Sequence, residues 1–142
     1  MKYLLDTSVM VDMMRHGNKA VIRKIHSVGI DNCCITDITA YELYDGAYRK
    51  NVGGRKRTKE EIDIAVKRVD DILCSIAVMS TTDAMKTAGK QKAYLMDNGE
   101  TISDTDIIIG AAAIWNDLIL VTSNEKHHGR LFGIQLENWR NA

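Results

Sequence analysis

The fold is indicated by the stretch YLLDTSVMVD at residues 3–12. Three apolar residues typical of a short buried strand are followed by Asp6 and two hydroxyl residues, and then by a segment with helical spacing. A second apolar run at residues 33–35 ends in the same way, at Thr36-Asp37, before another helical segment. Strands that alternate with helices indicate crossover connections and a parallel sheet covered by helices on both faces.

The remaining sequence extends this pattern. We predict strands at residues 3–5, 33–35, 76–79 and 118–121, with a short edge strand at 133–136. Helices are predicted at residues 9–14, 18–28, 38–50, from 58 to about 73, 82–96 and 103–115, with a glycine break at 51–54. The expected architecture is an α/β fold of three layers, α/β/α, with a central parallel sheet of four or five strands, in one domain spanning residues 1–142.

Composition excludes several classes of protein. The 142 residues are 45% hydrophobic and 27% charged, with a formal net charge of zero, as expected for one globular domain. A net charge of zero argues against a protein that binds nucleic acid with its whole surface, but it allows a local basic patch. The apolar stretch at residues 107–115 is shorter than the ~20 residues of a membrane span. Cys33, Cys34 and Cys74 fit neither a disulfide framework nor a zinc site, so we expect a cytoplasmic protein without a membrane partner.

Polar and acidic side chains lie where the predicted strands end. Asp6 follows the first strand, Glu42 lies in the first turn of the helix after the second, and Asp104 and Asp106 open the helix before the fourth. The carboxyl ends of parallel strands lie along one edge of a sheet, so these groups are expected to converge there.

Carboxylates gathered in a cleft repel one another unless a cation lies among them. Oxygen ligands without His or Cys suit Mg²⁺ or Mn²⁺. Each acid also has a purely structural interpretation: Asp6 can cap the first helix, and the spacings TAYE at residues 39–42 and SDTD at 103–106 match capping boxes. Local spacing alone does not decide between these interpretations.

Four motifs occur in a characteristic order: LLDTSVMVD at residues 4–12, ITAYELYDGA at 38–47, ISDTDIIIGAAAI at 102–114 and LVTSNEKHHGRLFGIQLENW at 120–139. In this order and spacing, the chain resembles the PIN-domain ribonucleases, specifically the VapC-type toxins of bacterial and archaeal toxin–antitoxin pairs. The resemblance extends along nearly the full length. It implies metal-dependent hydrolysis of phosphodiester bonds in RNA.

The resemblance also implies roles for individual residues. Asp6, Glu42 and Asp106 match the three acids that hold Mg²⁺ or Mn²⁺ in that family, and Asp104 fits an accessory acid. Asn124 occupies a fourth, usually acidic position, while Thr7 and Thr122 match hydroxyls that orient the acids or a water. His127 falls where many relatives carry His or Asp, whereas His128 replaces the usual Phe. We expect both histidines to be structural or surface groups rather than metal ligands, and the missing aromatic to loosen the segment before the last strand.

A basic run surrounds the Gly53-Gly54 pair and consists of Arg49, Lys50, Arg55, Lys56, Arg57 and Lys59. One interpretation is a flexible arm that contacts RNA phosphates beside the acidic cleft; the other is a solvated loop between helices. The resemblance implies a homodimer and a cognate antitoxin protein whose C-terminal segment occupies the acidic cleft.

Two other functions stay open at this point. A haloacid-dehalogenase-like phosphohydrolase also carries an Asp after its first strand, but it needs a second acid two residues later, where this chain has Ser8. A catalytically weak PIN scaffold that binds RNA or a protein partner is favoured by Asn124 alone.

Overall fold

Strand β1 (Tyr3–Leu5) is the middle strand of a five-stranded sheet with the order β5-β2-β1-β6-β7. The structure is a computed structural model and describes residues 1–140. All neighbouring strands of the sheet run parallel, with Leu4 of β1 opposite Cys34 on one side and Leu120 on the other. The other strands are β2 (Cys33–Thr36), β5 (Ala77–Met79), β6 (Ile119–Val121) and β7 (Leu136–Glu137).

Helices cover both faces of this sheet. Their bounds are α1 (Thr7–Met14), α2 (Lys19–Val28), α3 (Asp37–Tyr48), α4 (Lys59–Ser75), α5 (Met85–Asp97), α6 (Asp104–Trp115) and the short α7 (Glu125–His128). Side chains alternate along a strand, so Tyr3 and Leu5 pack with α1–α4 while Leu4 packs with α5 and α6. The predicted three-layer α/β/α architecture is confirmed.

Polar residues at the strand ends start the helices that follow. The Asp6 side chain accepts a hydrogen bond from the Thr7 N–H and caps α1, and the Thr36 hydroxyl accepts from the Thr39 N–H and caps α3. Ser103 does the same for α6 through the Asp106 N–H. These caps satisfy free N–H groups of the first turn, and they place the starts of α1, α3 and α6 at the same edge of the sheet.

Three local predictions need correction. The glycine break at 51–54 lies in an antiparallel hairpin of β3 (Asn51–Val52) and β4 (Arg55–Lys56). Gly53 and Gly54 turn it with φ of 59° and 75°, the backbone that favours Gly-Gly in two-residue hairpins. The edge strand begins at residue 136 instead of 133, and α5 begins at 85 after a 3₁₀ turn over Thr82–Ala84. Within residues 1–140, no helix is long and apolar enough to cross a bilayer.

Candidate active site

Asp6 is held rigidly at the junction of β1 and α1. The residue is only 3% exposed. Its Oδ1 accepts the Thr7 N–H at 2.8 Å, while Oδ2 accepts the hydroxyls of Ser8 at 3.0 Å and Thr122 at 2.8 Å. A buried carboxylate needs such donors to remain charged. Asp6 is therefore both the cap of α1 and a fixed acid at the end of the central strand.

Glu42 approaches the same edge from the second turn of α3, one turn later than predicted. Its Oε1 accepts the Thr7 hydroxyl at 2.7 Å, and that hydroxyl lies 3.0 Å from the Thr39 Oγ1. The capping-box interpretation of residues 39–42 is wrong, because Thr36 caps α3 and Glu42 is bonded to Thr7 across the site. Thr7 thus orients an acid, as the resemblance implied.

The pKa of Glu42 is raised above its usual value. Partial burial is the main cause, and the negative charges of Asp6 and Asp106 raise it further, while hydrogen bonds from Thr7 and Thr105 act in the opposite direction. Like charges that disfavour ionisation of one another must lie close together. The smaller contribution of these two charges indicates that the three carboxylates lie near one another.

The side chains of Asp104 and Asp106, both at the start of α6, face different sides of the helix. Ligand atoms of Asp6, Asp106 and His128 all lie within 4.8 Å of one another. Asp104 is exposed and binds Lys92 Nζ at 2.7 Å instead. Residues two apart on a helix point to different sides, so only one of these two acids can face the cleft. The structure brings Asp106 to the other acids and turns Asp104 toward α5.

Thr122 connects the end of β6 to Asp6. It is fully buried, donates its proton to Asp6 Oδ2, and accepts the Asn124 N–H at 2.9 Å. The Asn124 side chain lies 2.9 Å from the exposed His127, Nδ2 to Nδ1. Among the described contacts, the backbone N–H of Asn124 therefore bonds to the site residue Thr122, whereas its side-chain amide contacts His127.

His128 lies in the core, one of the two locations expected for it. Its side chain is fully buried in α7, with Nε2 at 3.8 Å from Asp106 Oδ1. The ring also packs against α6, because a Cβ added to Gly110 would lie at the van der Waals distance of 3.8 Å from His128 Cδ2. The expected loosening of the segment before the last strand stays a prediction.

These residues suit a divalent cation. Three carboxylates share the edge without a cationic side chain among their described contacts there, apart from the ring of His128. The buried Nε2 of that ring finds no hydrogen-bond partner within residues 1–140. The carboxylate oxygens and the unpartnered Nε2 are ligand atoms of the kind that bind divalent cations.

The basic run lies on an exposed hairpin between α3 and α4, where its arginines have partners. Its contact with RNA stays a prediction. Arg55 makes two bonds to Glu61, at 3.1 and 2.6 Å, and Arg49 pairs with Asp45 at 2.9 Å. Arg57 donates to the carbonyls of Gly46 and Arg49. Lys50 and Lys56 are exposed. Arg49 follows Glu42 by seven residues, about 10 Å along a helix axis.

A family model described as "PIN domain" matches residues 3–131. The chain is 29% identical over 140 residues to "Ribonuclease VapC2" of Haemophilus influenzae, covering 98% of each protein. It is 26% identical over 139 residues to "tRNA(fMet)-specific endonuclease VapC" of Shigella flexneri, again covering 98% of each.

Solved structures give the same picture of the fold. VapBC2 from Rickettsia felis, bound to a promoter DNA fragment, matches with a TM-score of 0.84 and 23% identity, over 98% of this chain and 99% of that one. DNA-bound VapBC from Salmonella typhimurium matches with a TM-score of 0.84 and 23% identity, over 98% of both chains. At this identity the likeness concerns the fold.

Proposed function

Because the chain belongs to the PIN-domain family, we propose that it is a metal-dependent endoribonuclease and the toxin of a toxin–antitoxin pair. The observation that carries the proposal is that Asp6 and Asp106 place ligand atoms within 4.8 Å of one another at the carboxyl edge of the sheet, with Glu42 close enough for their charges to raise its pKa. Relatives similar over 98% of their length are named ribonucleases. The substrate class is therefore RNA.

The three acids would hold Mg²⁺ or Mn²⁺. When bound, such an ion stabilises negative charge on a phosphate and lowers the pKa of water. Thr7 fixes Glu42, and Ser8 and Thr122 fix Asp6, so the acids need little reorganisation when they bind the ion. Asp104 and the Asn124 amide, which lie to the side, would act as accessory groups at most.

Hydrolysis without a covalent intermediate fits the nucleophiles nearby. Burial raises the pKa of Cys33 and of Cys34 to about 11, so both remain protonated thiols at neutral pH. The Ser8 hydroxyl donates to Asp6 and accepts the Ser123 N–H at 3.2 Å, so it is engaged in holding the site together. Ser8 also stands where a haloacid-dehalogenase-like enzyme needs its second acid, which leaves that alternative without support.

RNA must approach a cleft that is itself negative, so nearby cationic groups are needed. Lys50 and Lys56 are exposed on the hairpin that follows α3, and they would contact phosphates. Arg49, Arg55 and Arg57 already have acceptors and would keep the hairpin in place.

We also propose that an antitoxin segment covers the site, with a basic side chain among the acids. A groove of about 500 Å³ between α1, α3, α4 and the hairpin offers apolar surface for such a segment. Its apolar lining consists of Val11, Met14, Leu43, Ala47, Val52, Ile64, Ala65 and Val69. The solved structures of similar fold are toxin–antitoxin complexes by title, which supports a partner of this kind.

A homodimer is proposed as well. Tyr94 and Phe132 pack with ring centroids 6.3 Å apart, yet they are 49% and 74% exposed. An exposed aromatic pair of this kind is typical of a contact surface. Sedimentation of the purified chain measures its oligomeric state directly.

The nuclease proposal is tested with a labelled RNA, Mg²⁺ or Mn²⁺, and three variants. We expect Asp6→Asn and Asp106→Asn to lower cleavage by about 100-fold or more, because each removes a charge that holds the ion. Asp97→Asn, at an exposed acid on α5, is the matched control and should cleave like the wild type. Cleavage that survives chelation of the metal, or that Asp6→Asn leaves intact, would overturn the proposal. Binding of RNA without any cleavage would favour the non-catalytic scaffold.

A further inference from the structure

His128 presents an unsatisfied nitrogen to the acids. The side chain is fully buried, and Nε2 has no hydrogen-bond partner within the described chain. The nearest charged atom to it in the described contacts is Asp106 Oδ1, at 3.8 Å. A buried polar atom left without a partner destabilises the folded protein, so a buried unpartnered nitrogen beside the acids requires an explanation.

The contacts of the other ring nitrogen fix the tautomer. Nδ1 lies 3.2 Å from the Asn124 carbonyl oxygen, which can only accept, and 3.4 Å from Thr122 Oγ1. The Thr122 hydroxyl donates its own proton to Asp6, so toward His128 it is also an acceptor. Nδ1 therefore carries the hydrogen, and in the neutral ring Nε2 is a lone pair.

That lone pair lies 3.8 Å from a carboxylate oxygen of Asp106, and two electron-rich atoms at this distance repel each other unless a cation or a proton donor lies between them. Ligating histidines characteristically donate their other ring N–H to a backbone carbonyl, as Nδ1 does here. Metal–ligand bonds of about 2.0–2.2 Å place two ligands of one ion up to about 4.3 Å apart. The 3.8 Å between Nε2 and Asp106 Oδ1 lies within that limit.

We propose that His128 Nε2 is a ligand of the cation held by Asp6 and Asp106, so that the site binds Mn²⁺ in preference to Mg²⁺. This rests on the proposed metal site and adds to it a nitrogen donor. Mg²⁺ requires oxygen ligands, whereas imidazole suits transition metals. The substitution of the usual aromatic by histidine thus changes the chemistry of the site while keeping a ring in the same volume.

The direct test is electron spin-echo spectroscopy of Mn²⁺ bound to the purified protein, which detects a coordinated ¹⁴N nucleus. We expect ¹⁴N modulation in the wild type and in His127→Phe, and none in His128→Phe. His127 is the matched control because it is the adjacent histidine and is exposed. His128→Gln, which keeps a polar side chain without an imidazole, should also lose the modulation.

Calorimetric titration with each ion gives the second readout. His128→Phe should weaken Mn²⁺ binding by about tenfold or more and leave Mg²⁺ binding within about threefold. Thermal melting of the metal-free variants checks that they fold. His128→Phe should melt at the wild-type temperature or above it, since the unpartnered nitrogen is gone.

The outcomes separate this inference from the function on which it rests. Wild-type protein that binds Mn²⁺ without ¹⁴N modulation, or a His128→Phe variant with unchanged Mn²⁺ affinity, would overturn the nitrogen ligand and leave the acidic site standing. His128 would then act as an imidazolium partner of Asp106 or as filling for the core. Wild-type protein that binds neither ion, with cleavage insensitive to Asp6→Asn, would overturn both.

Discussion

Replacing Thr122 with valine removes one oxygen from the centre of the site and keeps the shape of the side chain. Thr122 Oγ1 donates to Asp6 Oδ2 at 2.8 Å and accepts the Asn124 N–H at 2.9 Å. A hydrogen bond to a charged group contributes about 1.5–3 kcal/mol and a neutral one about 1 kcal/mol. Asp6 keeps two other hydrogen-bond donors, the Ser8 hydroxyl and the Thr7 N–H, and these limit the loss of stability. We expect Thr122→Val to lower the free energy of unfolding by about 2–3 kcal/mol.

Urea denaturation of the metal-free protein measures this change. In thermal melting the same loss corresponds to roughly 6–10 °C for a domain of this size. Thr122→Ser is the matched control: it keeps the hydroxyl and loses one buried methyl, at a cost of about 1 kcal/mol. If valine were tolerated within 1 kcal/mol, or if serine were as damaging as valine, the hydroxyl would not be what holds Asp6.

Two further predictions concern charge at the site and binding beside it. Because the pKa of Glu42 is raised in the folded protein, the folded, metal-free protein binds a proton at a higher pH than the unfolded chain does. The free energy of unfolding should therefore increase as the pH falls from the raised pKa toward 4.5, the usual value for this carboxyl group. Glu42→Gln should remove this gain in pH-dependent unfolding curves; an identical pH profile in the two proteins would contradict the assignment. In the groove, Ile64→Glu places a charge on a side chain that is 59% exposed. It should weaken antitoxin binding by about tenfold or more without altering RNA cleavage, whereas Ile30→Glu, outside the groove, should bind normally.

The alternation of strands and helices could be predicted from the sequence because it depends on local patterns. The apolar run at Tyr3–Leu5 and its stop at Asp6 are visible in four residues, and the topological rule for parallel sheets then predicts that distant acids lie close together. The difference between Asp104 and Asp106 also follows from local geometry, since residues two apart on a helix face different sides.

The contacts that complete the site could not be predicted in this way. Thr7 bonds to Glu42 across 35 residues and Thr122 to Asp6 across 116, and neither distance is encoded in any one segment. The burial of His128 beside the acids could not be predicted from its own segment, because its environment is set by Gly110 and Asp106, on a helix about twenty residues earlier. The fixed arginines of the hairpin were missed for a similar reason, since Glu61 and the carbonyl groups that bind them lie on neighbouring helices.

The position of β1 between β2 and β6 has a consequence for synthesis of the protein. Asp6 precedes Thr122 by 116 residues, yet its side chain accepts the Thr122 hydroxyl and its backbone N–H donates to the Val121 carbonyl at 2.9 Å. A nascent chain that ends before β6 therefore lacks a neighbour for the central strand and one of the two hydroxyls that hold the acid. Asp6 acquires its full set of hydrogen bonds only once β6 has been synthesised and has paired with β1.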